Sequence, residues 1–365
     1  MSENINFVGA AKLAEMIKQH QELLLLDIRS QEQYEGWHIP MSVNIPLEEL
    51  DKKLIELPQD KSIVVICNRG NSSKRGAKLL EDAGLKALVL EGGLKQWNTV
   101  YDTSWIPLNA KSGLEVMQIK RIGKGCLSYL IFMKGSKKAV LIDPTHHVDL
   151  YKNLINGYNV ELCAVCDTHV HADHVSGGRK LSEQLGAPYC LPEVSKVAFP
   201  FLPIEEKLSK CMRGETRIIA TPGHTEESVC IVLNQSIVFT GDTLFIENVG
   251  RSDLGEEAAD NARRLYESVT KNLFSLPGEV MIAPAHIHKS VLLGEPAYTA
   301  DIAYVKSTNF ISRFAESDAF TDFIESHSIP TPPNYQWIKD INRGNESADI
   351  DLDELELGSN RCAIG

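Results

Sequence analysis

The sequence predicts two α/β units in one chain: a parallel sheet flanked by helices over the first hundred residues, then a second unit that begins all-β. Three observations carry this. First, short apolar runs alternate with amphipathic segments: LLLLDI (23–28), SIVVIC (62–67) and LKALVL (85–90) read as buried strands, and SSKRGAKLLEDAG is a helix closed by glycine. Second, the pattern lapses after Trp97 into NTVYDTSWIPLNAKSG, which has no periodicity. Third, LEVMQIKRI, CLSYLIFM and KAVLIDP then read as a β-meander with a KGSKK turn. The division predicted is 1–105, a linker at 106–112, and 113–365.

Beyond the meander, YKNLINGYN is a helix and ELCAVCDTH a strand that runs into a histidine cluster. From residue 291 the chain reads as helical, breaks at IPTPPNY and ends in the acidic ESADIDLDELELG. Asp349, Asp351 and Asp353 are spaced like calcium ligands, but the glycine and distal glutamate of a calcium loop are missing, so a solvated or edge segment is expected.

Composition narrows the function. The 365 residues are 43% hydrophobic and 24% charged, an ordinary globular balance. The net charge is −12 and no run of lysine and arginine could follow a phosphate backbone, so no nucleic-acid partner is expected. No apolar stretch approaches the roughly 20 residues that cross a bilayer. The polar N-terminus lacks a signal pattern, which predicts a cytoplasmic protein without a membrane partner. Eight scattered cysteines are then expected to be mostly free thiols. Cys163 and Cys166 form a C-x-x-C on a strand, where they face opposite ways and share neither a metal nor a disulfide.

CNRGNSSKRG follows a strand and opens a helix. A loop that turns its N–H groups toward a sulfur at a helix N-terminus favours an anion and lowers the thiol pKa, which makes Cys67 a candidate nucleophile. Gly70 permits the turn, and Lys74 and Arg75 add positive charge; the plain alternative is a last buried strand residue. DIRSQEQYEGWHIPMSVNIPL, this loop and LEGGLKQW, in that order, resemble the rhodanese sulfurtransferase family over almost all of residues 1–105. The resemblance implies a Cys67 persulfide as covalent sulfur carrier, cradled by a sulfur-binding loop of Asn68, Arg69, Gly70, Asn71, Ser72 and Ser73. The family often has arginine at the position of Ser72, where it helps bind an anionic donor; Arg69 is the nearby candidate to replace it.

THVHADH (168–174) puts three histidines and an aspartate into seven positions. TPGHTEES adds His224, GDTLF adds Asp242 and APAHIH adds His286, each after a short apolar run that could end at a common cleft. Singly these have plain readings, such as a capping aspartate or a satisfied histidine. Together they are ligand chemistry for zinc or ferrous iron. The pattern T-H-x-H-x-D-H with later H, D and H resembles the metallo-β-lactamase superfamily over roughly 113–290, which implies an αββα sandwich with the site at one edge. In the superfamily's dinuclear hydrolases, His169, His171 and His224 would hold one Zn2+. Asp173, His174 and His286 would hold a second, with Asp242 bridging, and the pair would activate water.

GDTLF followed by GRSDL is similar instead to the persulfide dioxygenase branch of that superfamily. This likeness implies one ferrous iron (Fe2+) per chain on His169, His224 and Asp242, with His171, Asp173, His174 and His286 supporting it from behind. Arg251 is the candidate grip on an anionic thiol such as glutathione persulfide, its alternative being an ion pair with Asp253. The branch commonly reads P-A-H-D-Y, and PAHIH puts His288 in the tyrosine position on the substrate side.

The two resemblances share a chemistry. They imply an enzyme that oxidises glutathione persulfide, or a similar small thiol persulfide, with O2 to sulfite, coupled to sulfur transfer through Cys67 with sulfite or thiosulfate as product. Relatives imply a homodimer. Two other readings are a dinuclear zinc thioester hydrolase of the glyoxalase II type, with the rhodanese-like domain as a binding module, and a non-catalytic sulfur-relay protein. His146 and His147 read as surface histidines at a turn, and Cys362 has no assigned role.

Overall fold

The computed structural model describes residues 5–212, 214–254, 257–287, 292–345, 350–358 and 360–364. Five strands open the chain: β1 (Phe7–Val8), β2 (Leu23–Asp27), β3 (Val43–Asn44), β4 (Ser62–Ile66) and β5 (Ala87–Leu90). They lie in the order β1-β5-β4-β2-β3 and every pairing is parallel. β4 shows why its sequence is continuously apolar. Ile63 and Val65 pack with Leu50, Ala77 and Leu80 of the helices Leu47–Lys53 and Ser72–Asp82, while Val64 and Ile66 pack on the opposite face with Leu13, Leu94 and Trp97.

A seven-stranded sheet follows, formed by β6 (Tyr101–Trp105), β7 (Leu114–Arg121), β8 (Leu127–Met133), β9 (Lys138–Ile142), β10 (Glu161–Cys166), β11 (Tyr189–Leu191) and β12 (Leu202–Pro203). It runs in spatial sequence, antiparallel from β6 to β9 and parallel from β9 to β12. β6 corrects the expected division at 105: residues 101–105 pair with β7 and belong to the second unit's sheet. Their alternation is hidden because the inward residue is Asp102, buried against Lys120, while Trp105 is exposed.

The third sheet comprises β13 (Thr216–Ala220), β14 (Val229–Leu233), β15 (Ile237–Gly241), β16 (Met281–Pro284) and β17 (Ala300–Asp301), in that order. Its residues Val229, Ile231, Ile237 and Phe239 share a core with Tyr129, Ile131, Val140 and Ile142 of the seven-stranded sheet. Helices Val148–Gly157 and Gly178–Leu185 cover the outside of one sheet, and Ala258–Glu267, Ile302–Thr308 and Ser317–Ser326 the outside of the other. This is the four-layered sandwich expected. Trp97, Val100, Ile106 and Ile122 make its core continuous with that of the first unit.

The acidic tail departs from expectation. Instead of lying in solvent it runs between the units: Asp351 pairs with Lys95, Glu354 with Arg69, and Asp353 accepts from His147 Nε2 at 2.8 Å. Glu356 is fully buried, pairs with Arg121 and accepts the Val175 N–H at 2.6 Å. His146 and His147 are accordingly part-buried tail contacts and not loose surface groups. The alternating acidic pattern reads as solvated only because its partners come from distant segments. Asp349 lies outside the described residues. Cys163 is paired with Cys211 and not with Cys166, and the other six cysteines are free. Among the described residues no helix is long and apolar enough to cross a membrane.

Candidate metal centre and sulfur-carrier loop

The C-terminal ends of β10, β13, β15 and β16 reach one edge of the sandwich. The turns that follow them carry His169, His171, Asp173 and His174, then His224, Asp242 and His286. All seven are buried. Their ligand-type atoms gather in separate clusters, of which two matter most here: His169, His224 and Asp242 in one, and Asp173, His174 and His286 with Cys126 in the other.

His169, His224 and Asp242 form the first set. Their ligand-type atoms lie within 4.8 Å of one another, with His224 Nε2 at 3.5 Å and His169 Nε2 at 3.8 Å from Asp242 Oδ2. These three atoms are buried and without a hydrogen-bond partner. Left so, each would carry an uncompensated desolvation cost of about 1–3 kcal/mol, so three converging orphans fit a cation. The far side of each ring is committed. His224 Nδ1 donates to the Arg251 carbonyl at 2.8 Å, which leaves Nε2 as a bare lone pair. Thr168 Oγ1 donates to Asp143 at 3.0 Å and can therefore only accept from His169 Nδ1, also at 3.0 Å, which bares His169 Nε2 in the same way. Burial, followed by the nearby charge of His171, holds the His169 pKa well below its usual value and keeps the ring neutral.

The second set spends most of its atoms internally, although His174 Nε2 is also buried and without a hydrogen-bond partner. His286 bridges two carboxylates, Nε2 to Asp173 Oδ2 at 2.8 Å and Nδ1 to Asp242 Oδ1 at 2.5 Å. Burial works against a charge there, but the two carboxylates outweigh it and hold the His286 pKa well above its usual value. Asp173 also accepts from His174 Nδ1 at 3.1 Å, Asn360 Nδ2 at 3.1 Å and the Cys126 thiol at 3.5 Å. His171 turns its Nε2 toward Asp143 Oδ1 at 3.3 Å and leaves Nδ1 buried and without a partner, its ring 4.2 Å from that of His169.

The GRSDL segment acts through its backbone. A Cβ on Gly250 would lie 1.8 Å from the Asp242 carbonyl oxygen, so only glycine lets this strand approach the site. Arg251, the expected substrate grip, is engaged by the protein itself, with Nη1 left without a partner. Its Nε and Nη2 bind Asp253 at 2.7 and 2.9 Å, and Nη2 also donates to the Ile329 carbonyl, so the ion-pair alternative is the one present. His288 lies outside the described residues. Sequence reasoning missed Thr168, Asp143, Cys126, Asn360 and Cys362. Asp143 carried a faint signal, a polar residue ending an apolar strand, and it occupies a left-handed conformation at φ 50°.

In the first unit the Cys67 sulfur accepts the Gly70 N–H at 3.2 Å and lies 3.3 Å from Ser73 Oγ. Asn68, Arg69, Asn71 and Ser72 line a cavity of about 670 Å3 in front of it, together with Arg29 and Leu357. Arg29 is fixed by a two-pronged pair with Asp27 and donates to Asn68 Oδ1 at 3.2 Å. Arg69 is held by Glu354 of the tail, and Lys74 lies over the Phe7 ring, away from the sulfur.

Comparison with known proteins agrees with both halves. The rhodanese-like domain family matches residues 9–99 and the metallo-beta-lactamase superfamily residues 121–286. The mitochondrial persulfide dioxygenase ETHE1 of Mus musculus is 38% identical over 173 residues, 45% of this chain and 65% of the relative. The hydroxyacylglutathione hydrolase of Pelagibacter ubique is 31% identical over 174 residues, 47% of this chain and 70% of the relative. The crystal structure of ETHE1 from Myxococcus xanthus superimposes with a TM-score of 0.54 at 28% identity, covering 66% of this chain and 99% of that one. The chain thus spans about two thirds of the length of the curated relatives it matches.

Proposed function

We propose that this chain, which belongs to the metallo-beta-lactamase superfamily and carries a rhodanese-like domain ahead of it, oxidises a small thiol persulfide such as glutathione persulfide with O2. The balanced reaction is persulfide plus O2 plus water giving thiol, sulfite and two protons. The observation that carries the reading is the set of three bare, buried, converging atoms, His169 Nε2, His224 Nε2 and Asp242 Oδ2. Two imidazoles and one carboxylate are the ligand set of mononuclear ferrous iron, which supplies redox chemistry and coordination sites for an anionic sulfur and O2. The chain's own groups orient and hold. Thr168 and the Arg251 carbonyl fix which nitrogen each histidine presents, and His286 keeps a proton between Asp173 and Asp242.

Sulfur transfer through Cys67 belongs to the same reading, because the inward Gly70 N–H and the open cavity suit a persulfide held on that sulfur. The dinuclear zinc hydrolase remains the second reading, favoured by the full superfamily ligand set. Against it, a second ion on Asp173, His174 and His286 must break the hydrogen bond on whichever His286 nitrogen it takes. The test measures metal content together with oxygen uptake on glutathione persulfide and hydrolysis of lactoylglutathione. One iron per chain with oxygen uptake is expected; two zinc ions with thioester turnover and no oxygen uptake overturn the proposal.

A further inference from the structure

Two adjacent histidines and the acidic tail meet at a point that the metal centre does not use. His146 and His147 lie in the turn between β9 and the helix Val148–Gly157. On a strand, neighbouring side chains point to opposite faces. His147 is off strand geometry, at φ −75° and ψ 61°, and the two rings lie side by side, their centroids 4.0 Å apart and their planes tilted by 38°. Both Nε2 atoms therefore face one oxygen of the tail: Asp353 Oδ1 is 3.2 Å from that of His146 and 2.8 Å from that of His147. The ligand-type atoms of the three residues fall within 4.8 Å of one another, and the group shares no residue with the clusters at the metal centre.

The far nitrogen of each ring faces a group of its own, as in metal-bound imidazoles. His146 Nδ1 stands 3.1 Å from the buried Glu356 Oε1, within ion-pair distance though not aligned as a hydrogen bond. His147 Nδ1 lies 2.8 Å from Tyr101 Oη. That hydroxyl is free to accept, because its own proton has a path onward. The path runs from Tyr101 Oη to Thr145 Oγ1 at 2.5 Å, to Tyr151 Oη at 3.2 Å, to Ser128 Oγ at 2.8 Å and to the Asp143 carbonyl at 2.8 Å. A proton on His147 Nδ1 bares Nε2 toward the carboxylate, an arrangement that a cation between the two satisfies. Charge agrees: Asp353 and Glu356 are set against Arg121 alone, which pairs with Glu356 and stands 3.9 Å from Asp353 Oδ1, so with neutral rings the pocket is net negative.

We propose that His146, His147 and Asp353 hold a divalent ion of the zinc class, which clamps the tail to the second unit. Two imidazoles with one carboxylate select such an ion over calcium or magnesium, which take oxygen ligands. Zinc binds imidazole nitrogen at about 2.0–2.1 Å and carboxylate oxygen at about 2.0–2.2 Å, so neighbouring ligand atoms of a tetrahedral site stand roughly 3.3 Å apart. The 2.8 and 3.2 Å found here need only small outward shifts. The Asp353 side chain is 31% exposed, against 13% and 19% for the rings, which leaves a route for the ion and a water as fourth ligand. In the metal-free chain a proton shared by His146 and Asp353 does part of the same work, and the ion displaces it. Four residues after Asp353, Leu357 lines the Cys67 cavity, so the clamp steadies a wall of the sulfur-carrier site. The inference does not depend on which reaction the metal centre performs.

The test titrates the full chain, its metal centre already loaded, with zinc chloride at about pH 8, where histidine is ordinarily neutral. Calcium chloride is the control. Bound zinc is counted by atomic emission, and hydrogen exchange of residues 350–358 is followed by mass spectrometry. Zinc, and not calcium, is expected to slow that exchange roughly tenfold or more in the parent. His147→Gln keeps the anchor of Glu356 on Arg121 and should bind one zinc fewer per chain and lose the slowing. Zinc that enters the metal centre binds parent and variant alike, so the difference reads this site alone. No slowing in the parent, equal slowing by calcium, or zinc count and slowing unchanged in His147→Gln each overturns the clamp. If His147→Gln already frees the tail without zinc, anomalous scattering from zinc-soaked crystals of the parent decides. A zinc peak bounded by His146, His147 and Asp353 supports the clamp, and zinc only elsewhere overturns it.

Discussion

The two candidate sites are built on opposite plans. The Cys67 site is one contiguous loop, residues 67–73, opening on a cavity of about 670 Å3 whose far wall includes the tail. The metal centre is assembled from turns after four strands plus the tail, and every candidate ligand is buried. An open loop suits transfer to and from a mobile donor; a closed pocket suits a reaction from which water and stray thiols must be kept. The contrast also assigns work to the tail, whose Leu357 lines one site while Asn360 and Cys362 border the other.

Substitutions can break this comparison or sharpen it. The largest effects are expected where a site loses its central atom. Asp242→Ala should lower iron content and oxygen uptake by more than about 100-fold, since even supporting partners of a metal ligand are worth roughly 10–100-fold. Cys67→Ser should abolish sulfur transfer to cyanide with iron content unchanged. Iron lost from the Cys67 variant would show that the sites are not separable. Glu356→Ala comes next. It strands Arg121, itself fully buried, and should lower unfolding free energy by about 3–5 kcal/mol in chemical denaturation. Thr168→Val should cost roughly 10–100-fold in iron affinity by metal titration, because it releases the His169 ring without touching the metal.

The smallest effect is a pH dependence of tail docking. Burial disfavours charge on His146, but Glu356 and then Asp353 outweigh it and raise its pKa. A raised folded pKa means this contribution is complete below the unfolded value of about 6.5 and fades as pH rises through the higher folded value. Hydrogen exchange of residues 350–358 should therefore quicken above pH 6.5 beyond the intrinsic rate, and His146→Asn should remove the excess.

What could be read along the chain was whatever depends on neighbours in sequence. Apolar runs of strand length predicted β2, β4 and β5, and the meander β7 to β9, because a strand buried on both faces must be apolar throughout. β6 escaped, since a buried Asp102 matched to Lys120 looks in sequence like any loop aspartate. THVHADH and the later His224, Asp242 and His286 were recognisable because ligand chemistry uses few residue types. Their division was not: one shared pattern serves one metal or two, and only the folded chain shows which ligand-type atoms meet, those of His169, His224 and Asp242 in one cluster and those of Asp173, His174 and His286 in another.

Sequence by itself thus determined the two α/β units, the cysteine on its loop and which histidines and aspartates would gather at one edge of the sandwich, all of which rest on local pattern. Tertiary structure alone decided that Arg251 is bound to Asp253, that the acidic tail is an inserted wedge and that Cys362 stands at the metal centre. The last two depend on partners far apart in the chain. Glu356 and Arg121 are 235 positions apart, and a charge reveals its partner only when folding has brought the two together.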